Sequence, residues 1–107
     1  MTGPSAAATP FLRMAGQGTP VLCLHSNASS SAQWRGLMDD LSPQFQMLAP
    51  DLLGAGRSAA WPVASGARLQ HELVALAPLL ASLGGRFHLV GHSYGGMVIT
   101  GVADRMP

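Results

Sequence analysis

Charge is scarce in this sequence: six arginines, no lysine and five acids among 107 residues. The arginines stand singly and the acids nearly cancel them at a formal +1, so no block of one sign exists to attract nucleic acid or an anionic membrane surface. Cysteine is nearly missing as well. The single thiol, Cys23, lies in the apolar run Val21-Leu22-Cys23-Leu24, so no disulfide can form within the chain and the residue reads as a small buried hydrophobe. No apolar run approaches the about 18 residues of a membrane span. Met1-Thr2-Gly3-Pro4-Ser5 also lacks the basic flank and apolar core of a secretory leader. These features predict a cytoplasmic, soluble protein with no nucleic-acid or membrane partner. With 48% apolar residues the chain suffices for one modest core. So little charge over so many Ala and Gly residues also predicts that part of its surface is covered.

What is present falls into alternating strand and helix patterns. Residues 1–10 read as a loose lead-in, and residues 11–107 as one structural unit. Phe11-Leu12-Arg13-Met14 before a Gly-rich stretch predicts a short strand entering a turn. Pro20–His25 is apolar without alternation, the pattern of a strand buried on both faces of a parallel sheet. The polar loop Ser26–Ser31 then offers N-caps to a helix whose Trp34, Leu37, Met38 and Leu41 fall at i, i+3, i+4, i+7. Phe45–Leu52 predicts a second buried strand, ending in the loop Gly54–Ser58. Leu69, Leu73, Leu76, Leu80 and Leu83 mark a long helix, with Pro78 predicting a kink and Gly84-Gly85 a stop. Arg86–Gly91 reads as a third buried strand, and Tyr94 to about Arg105 as a helix with Met97 and Val98 covered and Gly101 allowing close approach. The fold class is α/β with a mostly parallel sheet.

The chemistry concentrates at Gly91-His92-Ser93-Tyr94-Gly95. The G-x-S-x-G pattern is weak by itself, and its setting between an apolar strand and a helix carries the argument. A serine on such a turn needs a strained backbone. Gly91 and Gly95, lacking side chains, let strand and helix approach there, and Gly96 extends the allowance. The helix start also places the Tyr94 N–H beside Ser93, where it can face an oxyanion formed when the hydroxyl attacks a carbonyl.

Three segments, spanning residues 21–107, resemble the α/β-hydrolase family. Gly91-His92-Ser93-Tyr94-Gly95-Gly96 is similar to its nucleophile elbow. Pro50-Asp51-Leu52-Leu53-Gly54-Ala55-Gly56-Arg57-Ser58 is similar to the P-D-x-x-G-x-G-x-S loop of its esterases, C–C hydrolases and cofactor-free haloperoxidases. Leu24-His25-Ser26-Asn27 is similar to its H-G-x oxyanion loop, with Ser26 where glycine is usual. The resemblance implies the N-terminal part of that fold, Ser93 as nucleophile, the N–H groups of Asn27 and Tyr94 as the oxyanion hole, and loop-supporting roles for His25, Ser26 and Asp51. It implies acyl transfer on an ester-like small molecule, with no metal and no organic cofactor. Asp at the nucleophile position would point to a hydrolytic dehalogenase, and here it is Ser93.

Other residues read more plainly. His25 and His92 border the site but read as loop-packing, and His88 and His71 as structural histidines. Hydrolases of this fold run Ser, acid, His in chain order. Asp104 is the only acid after Ser93 and stands about 16 Å along the helix; no histidine follows. Trp61 could line an acyl pocket, although packing is its commoner role. Neither Gly16-Gln17-Gly18 nor Gly54-Ala55-Gly56 completes a dinucleotide-binding fingerprint. Residues 1–107 are therefore expected to form a fragment of a serine hydrolase that lacks the triad acid and histidine, inert alone. The resemblance places strand Phe87–Gly91 mid-sheet, so its outer edge is expected to lie bare and to invite self-association. A non-catalytic binding or assembly module is the alternative.

Overall fold

A computed structural model describes residues 10–56 and 68–104. Most of the lead-in, Arg57-Ser58, Trp61 and Arg105 lie outside the described residues. The elements in chain order are strands β1 (Leu12–Ala15) and β2 (Thr19–Leu24), a 3₁₀ turn (Ser31–Trp34), helix α1 (Arg35–Leu41), strand β3 (Phe45–Pro50), helix α2 (Arg68–Ser82), strand β4 (His88–Gly91) and helix α3 (Tyr94–Asp104).

Alternation of side chains along β2 and β3 explains why both read as unbroken apolar runs. Leu22, Leu24 and Leu48 point to one face, against Leu73 and Leu76 of α2 and Val98 and Val102 of α3. Val21, Cys23, Met47 and Ala49 point to the other, against Trp34 and Met38. A strand covered on both faces has no polar side to show. Cys23 is completely buried, which pushes its thiol up to about 11, as expected of an inert packing residue.

The sheet order is β1-β3-β2-β4, with β2 parallel to both β3 and β4 and β1 antiparallel to β3. This mostly parallel sheet corrects one expectation. β4 is not a fully buried strand like the other two: His88 and Gly91 are exposed and Leu89 and Val90 only half-buried. The reason is position, since among the described residues β4 has one hydrogen-bonded neighbour, β2.

All five leucines that marked α2 pack in or against the same core cluster. The helix is continuous through Pro78, which is exposed, as is Val74, the residue whose carbonyl the proline leaves without its helical donor. Gly101 of α3 is buried where a Cβ would lie 3.0 Å from Leu69 Cδ1, so its lack of a side chain sets the close approach of α3 to α2. Met97 is the second correction. It is 50% exposed, because the covered face of α3 runs through Gly95, Val98, Gly101 and Val102. Among the described residues no helix is long and apolar enough to cross a membrane.

Candidate active site

The loops that follow β2, β3 and β4 leave from the same edge of the sheet, because the three strands are parallel. Each carries part of the site.

The loop after β4 is a single tight turn. His92 N–H donates to Leu24 O at 3.1 Å, extending the β2–β4 pairing by one residue, and Gly95 N–H donates back to His92 O at 3.0 Å. Between them Ser93 has φ 56, in the left-handed region that costs a residue with a side chain about 1–2 kcal/mol. Ser93 is exposed, and α3 begins at the next residue. Two glycines make the turn possible: a Cβ on Gly95 would fall 2.0 Å from Leu24 O, and one on Gly91 would fall 2.8 Å from Gly95 C. Gly96 differs from them, since a Cβ there would meet only Gly91 O, at 4.0 Å. Its lack of a side chain is not demanded by space.

The loop after β2 turns at Ser26–Ser29, closed by a Ser29 N–H to Ser26 O bond of 3.2 Å, with Ala28 at φ 62 and Asn27 exposed. Ser26 is not left-handed, so the side chain it carries causes no strain of that kind. His25 at the start of the loop is almost completely buried. Its Nε2 accepts the Leu52 N–H at 2.9 Å, which leaves the proton on Nδ1, and Nδ1 donates to Ser26 O at 2.7 Å. Both ring nitrogens are thus committed to the main chain of two different loops.

Asp51 opens the loop after β3 and is also buried. Its Oδ1 accepts the Ser31 N–H at 2.7 Å, while the Ser30 hydroxyl accepts from Ala32 N–H at 3.2 Å. The two side chains satisfy donors that the start of the 3₁₀ turn cannot satisfy itself.

Three participants escaped the sequence reading. Ala28, left-handed without being glycine or asparagine, carried no signal. Gln33 joins two loops: its Oε1 accepts Ser26 N–H at 3.0 Å and its Nε2 lies 2.7 Å from His92 Nδ1. Glu72 of α2 is buried, accepting the Leu53 N–H at 3.1 Å and the Tyr94 hydroxyl at 2.8 Å. The sequence held a clue to Glu72, which falls at i+3 from Leu69 and beside Leu73 on the apolar stripe, where a carboxylate must find partners. Among the described residues no group of three or more His, Cys, Asp or Glu side chains could hold a metal ion.

Known proteins resemble this chain over most of its length. A family described as the alpha/beta hydrolase fold matches residues 19–107. Lipase LipV of Mycobacterium tuberculosis is 39% identical over 88 residues, a match covering 81% of this chain and 32% of the lipase. Cis-3-alkyl-4-alkyloxetan-2-one decarboxylase of Shewanella oneidensis is 38% identical over 96 residues, covering 86% of this chain and 30% of that protein. Among solved structures, epoxide hydrolase VrEH1 from Vigna radiata superposes with a TM-score of 0.74 at 32% identity, covering 81% of this chain and 29% of its own. The chain thus spans about a third of the length of the curated relatives it matches.

Proposed function

The chain belongs to the α/β-hydrolase family, and on that footing we propose that it carries the nucleophile and oxyanion pocket of a serine hydrolase acting on an ester-like small molecule. The observation that carries the proposal is Ser93 itself: an exposed hydroxyl held at φ 56 between a strand and a helix start, by glycines whose replacement the surrounding backbone has no room for. Strain of this kind persists only where the surroundings impose it, and it concentrates at functional sites.

In this reading Ser93 Oγ attacks the carbonyl carbon and gives its proton to a histidine. The carbonyl oxygen becomes an oxyanion held by the N–H groups of Tyr94 and Asn27. Collapse of the tetrahedral species expels the alcohol, which takes that proton, and water then releases the acid from the acyl-enzyme by the same steps. His25 is a poor candidate for the shuttle, since using either nitrogen breaks a hydrogen bond to the main chain. The reading therefore needs a histidine and a carboxylate from outside the 107 residues, in the order the family keeps, with Asp51, His25 and Ser26 ordering the loops. Nothing in the chemistry calls for a metal or organic cofactor. The proposal extends to the sheet edge: among the described residues β4 pairs only with β2, and residues 1–107 by themselves would leave its outer side open to a second copy of the chain.

A fluorophosphonate probe on the complete protein tests the nucleophile, with label expected on Ser93 and p-nitrophenyl ester turnover lost in Ser93→Ala. Label on another serine, or turnover that survives Ser93→Ala, overturns the assignment. A complete protein with neither labelling nor turnover favours the non-catalytic binding module.

A further inference from the structure

Gln33 is exposed on the 3₁₀ turn, yet its amide touches both walls of the site. Its Oε1 accepts the Ser26 main-chain N–H at 3.0 Å and lies 3.4 Å from the Ser26 hydroxyl, and its Nε2 reaches His92 Nδ1 at 2.7 Å. The two ends of an amide are chemically distinct, so these contacts fix one another. With the oxygen turned to Ser26, only an N–H faces His92, which must then present a bare Nδ1 and carry its proton on Nε2. A protonated Nδ1 would be incompatible with the same amide orientation.

The placement matters because Ser26 immediately precedes Asn27 and His92 immediately precedes Ser93. The main-chain bond between the two segments, His92 N–H to Leu24 O, lies two residues before Ser26. It aligns the strands without fixing the turn beyond them. The Gln33 amide reaches past that bond and ties the turn to the elbow. Ser26 suits this contact, since its hydroxyl turns toward the same oxygen that holds its N–H.

We propose that Gln33 is a positioning residue that sets the spacing of the Asn27 and Tyr94 N–H groups by clamping Ser26 to His92. The inference rests on the acyl-transfer reading above and adds to it the side chain that holds the oxyanion pocket to one width. Misplacing a reacting group by 1 Å can cost about a hundredfold in rate. For an exposed clamp, loss of roughly tenfold in kcat with KM little changed is the expected scale, because the donors remain and only their spacing relaxes.

The experiment compares Gln33→Met, His92→Ala, the double variant and His92→Asn in the complete protein, reading ester kinetics and, by nuclear magnetic resonance, the exchange rate of the Ser26 amide. Either single change should lower kcat and speed Ser26 exchange. The double variant should be no worse than the worse single, since both break one clamp. His92→Asn, whose Oδ1 can accept from Nε2, should recover most of the loss. Additive losses, or Ser26 exchange that does not respond to His92→Ala, overturn the proposal. If Ser93→Ala leaves turnover intact, or there is none to measure, it is the acyl-transfer reading that fails. The response of Ser26 exchange to His92→Ala then still decides whether the clamp exists.

Discussion

Two turns at the same edge of the sheet each carry a residue with a side chain in the left-handed region, Ala28 at φ 62 and Ser93 at φ 56, and they are held there by opposite means. The elbow is held by contact. Gly95 sits against Leu24 O with no room for a methyl group, so steric exclusion and the main-chain bonds on either side of Ser93 hold the turn. The Ser26–Ser29 turn is held by polar side chains: His25 at its own start, Gln33 from the 3₁₀ turn, and Asp51 through the start of that turn. One site thus combines a part held by packing with a part held by hydrogen bonding.

The largest expected effect tests the packed half. Gly95→Ala places a carbon 2.0 Å from a main-chain oxygen and should destabilise the protein by about 3 kcal/mol or more, at or beyond the upper end of overpacking costs because backbone cannot yield as a side chain does. Denaturant unfolding measures it; a variant of native stability would break the comparison. Next comes Asp51→Ala, which removes a buried carboxyl acceptor and strands the buried Ser31 N–H. A loss of about 2–3 kcal/mol in the same assay is expected. If the cost were only a few tenths, the polar half would not depend on its side chains.

Smaller effects sharpen the picture within the second turn. Ala28→Gly relieves about 1–2 kcal/mol of left-handed strain and adds about 0.5–1 kcal/mol of backbone entropy cost, so a net gain of about 0.5 kcal/mol should appear as a higher midpoint. Asn27→Ala should do least. If Asn27 contributes its main-chain N–H, kcat for an ester should change by less than about threefold, whereas a loss of about a hundredfold would make the side chain the donor.

Much of this molecule was legible because its signals are local. Val21–Leu24 and Met47–Ala49 read as doubly buried strands since both faces of the sheet are covered, and the α2 leucines carry their own period. The turn at Ser93 was visible through its glycines and its place between strand and helix. What stayed hidden depends on partners remote in sequence. The apolar content of β4 does not by itself tell that, among the described residues, only β2 pairs with it, and Met97 differs from Val98 only by which side of α3 the sheet occupies. Gln33 finds its contact 59 positions away, at His92. Such a contact exists only once the fold has formed.

The strand order also bears on the sequence of events in folding. Thr19 pairs with Phe45, 26 positions on, whereas Val21 pairs with His88, 67 positions on. Closing the longer loop costs about 0.8 kcal/mol more chain entropy, before the helix it contains offsets any of that. The β2–β3 pair is therefore the natural first half of the sheet, and β4 joins a surface already built. The left-handed serine is then imposed late, when Leu24 O is already in place to receive the His92 N–H and to exclude a side chain at Gly95. On this entropic order, the strained turn at Ser93 forms after the strand pair that enforces it.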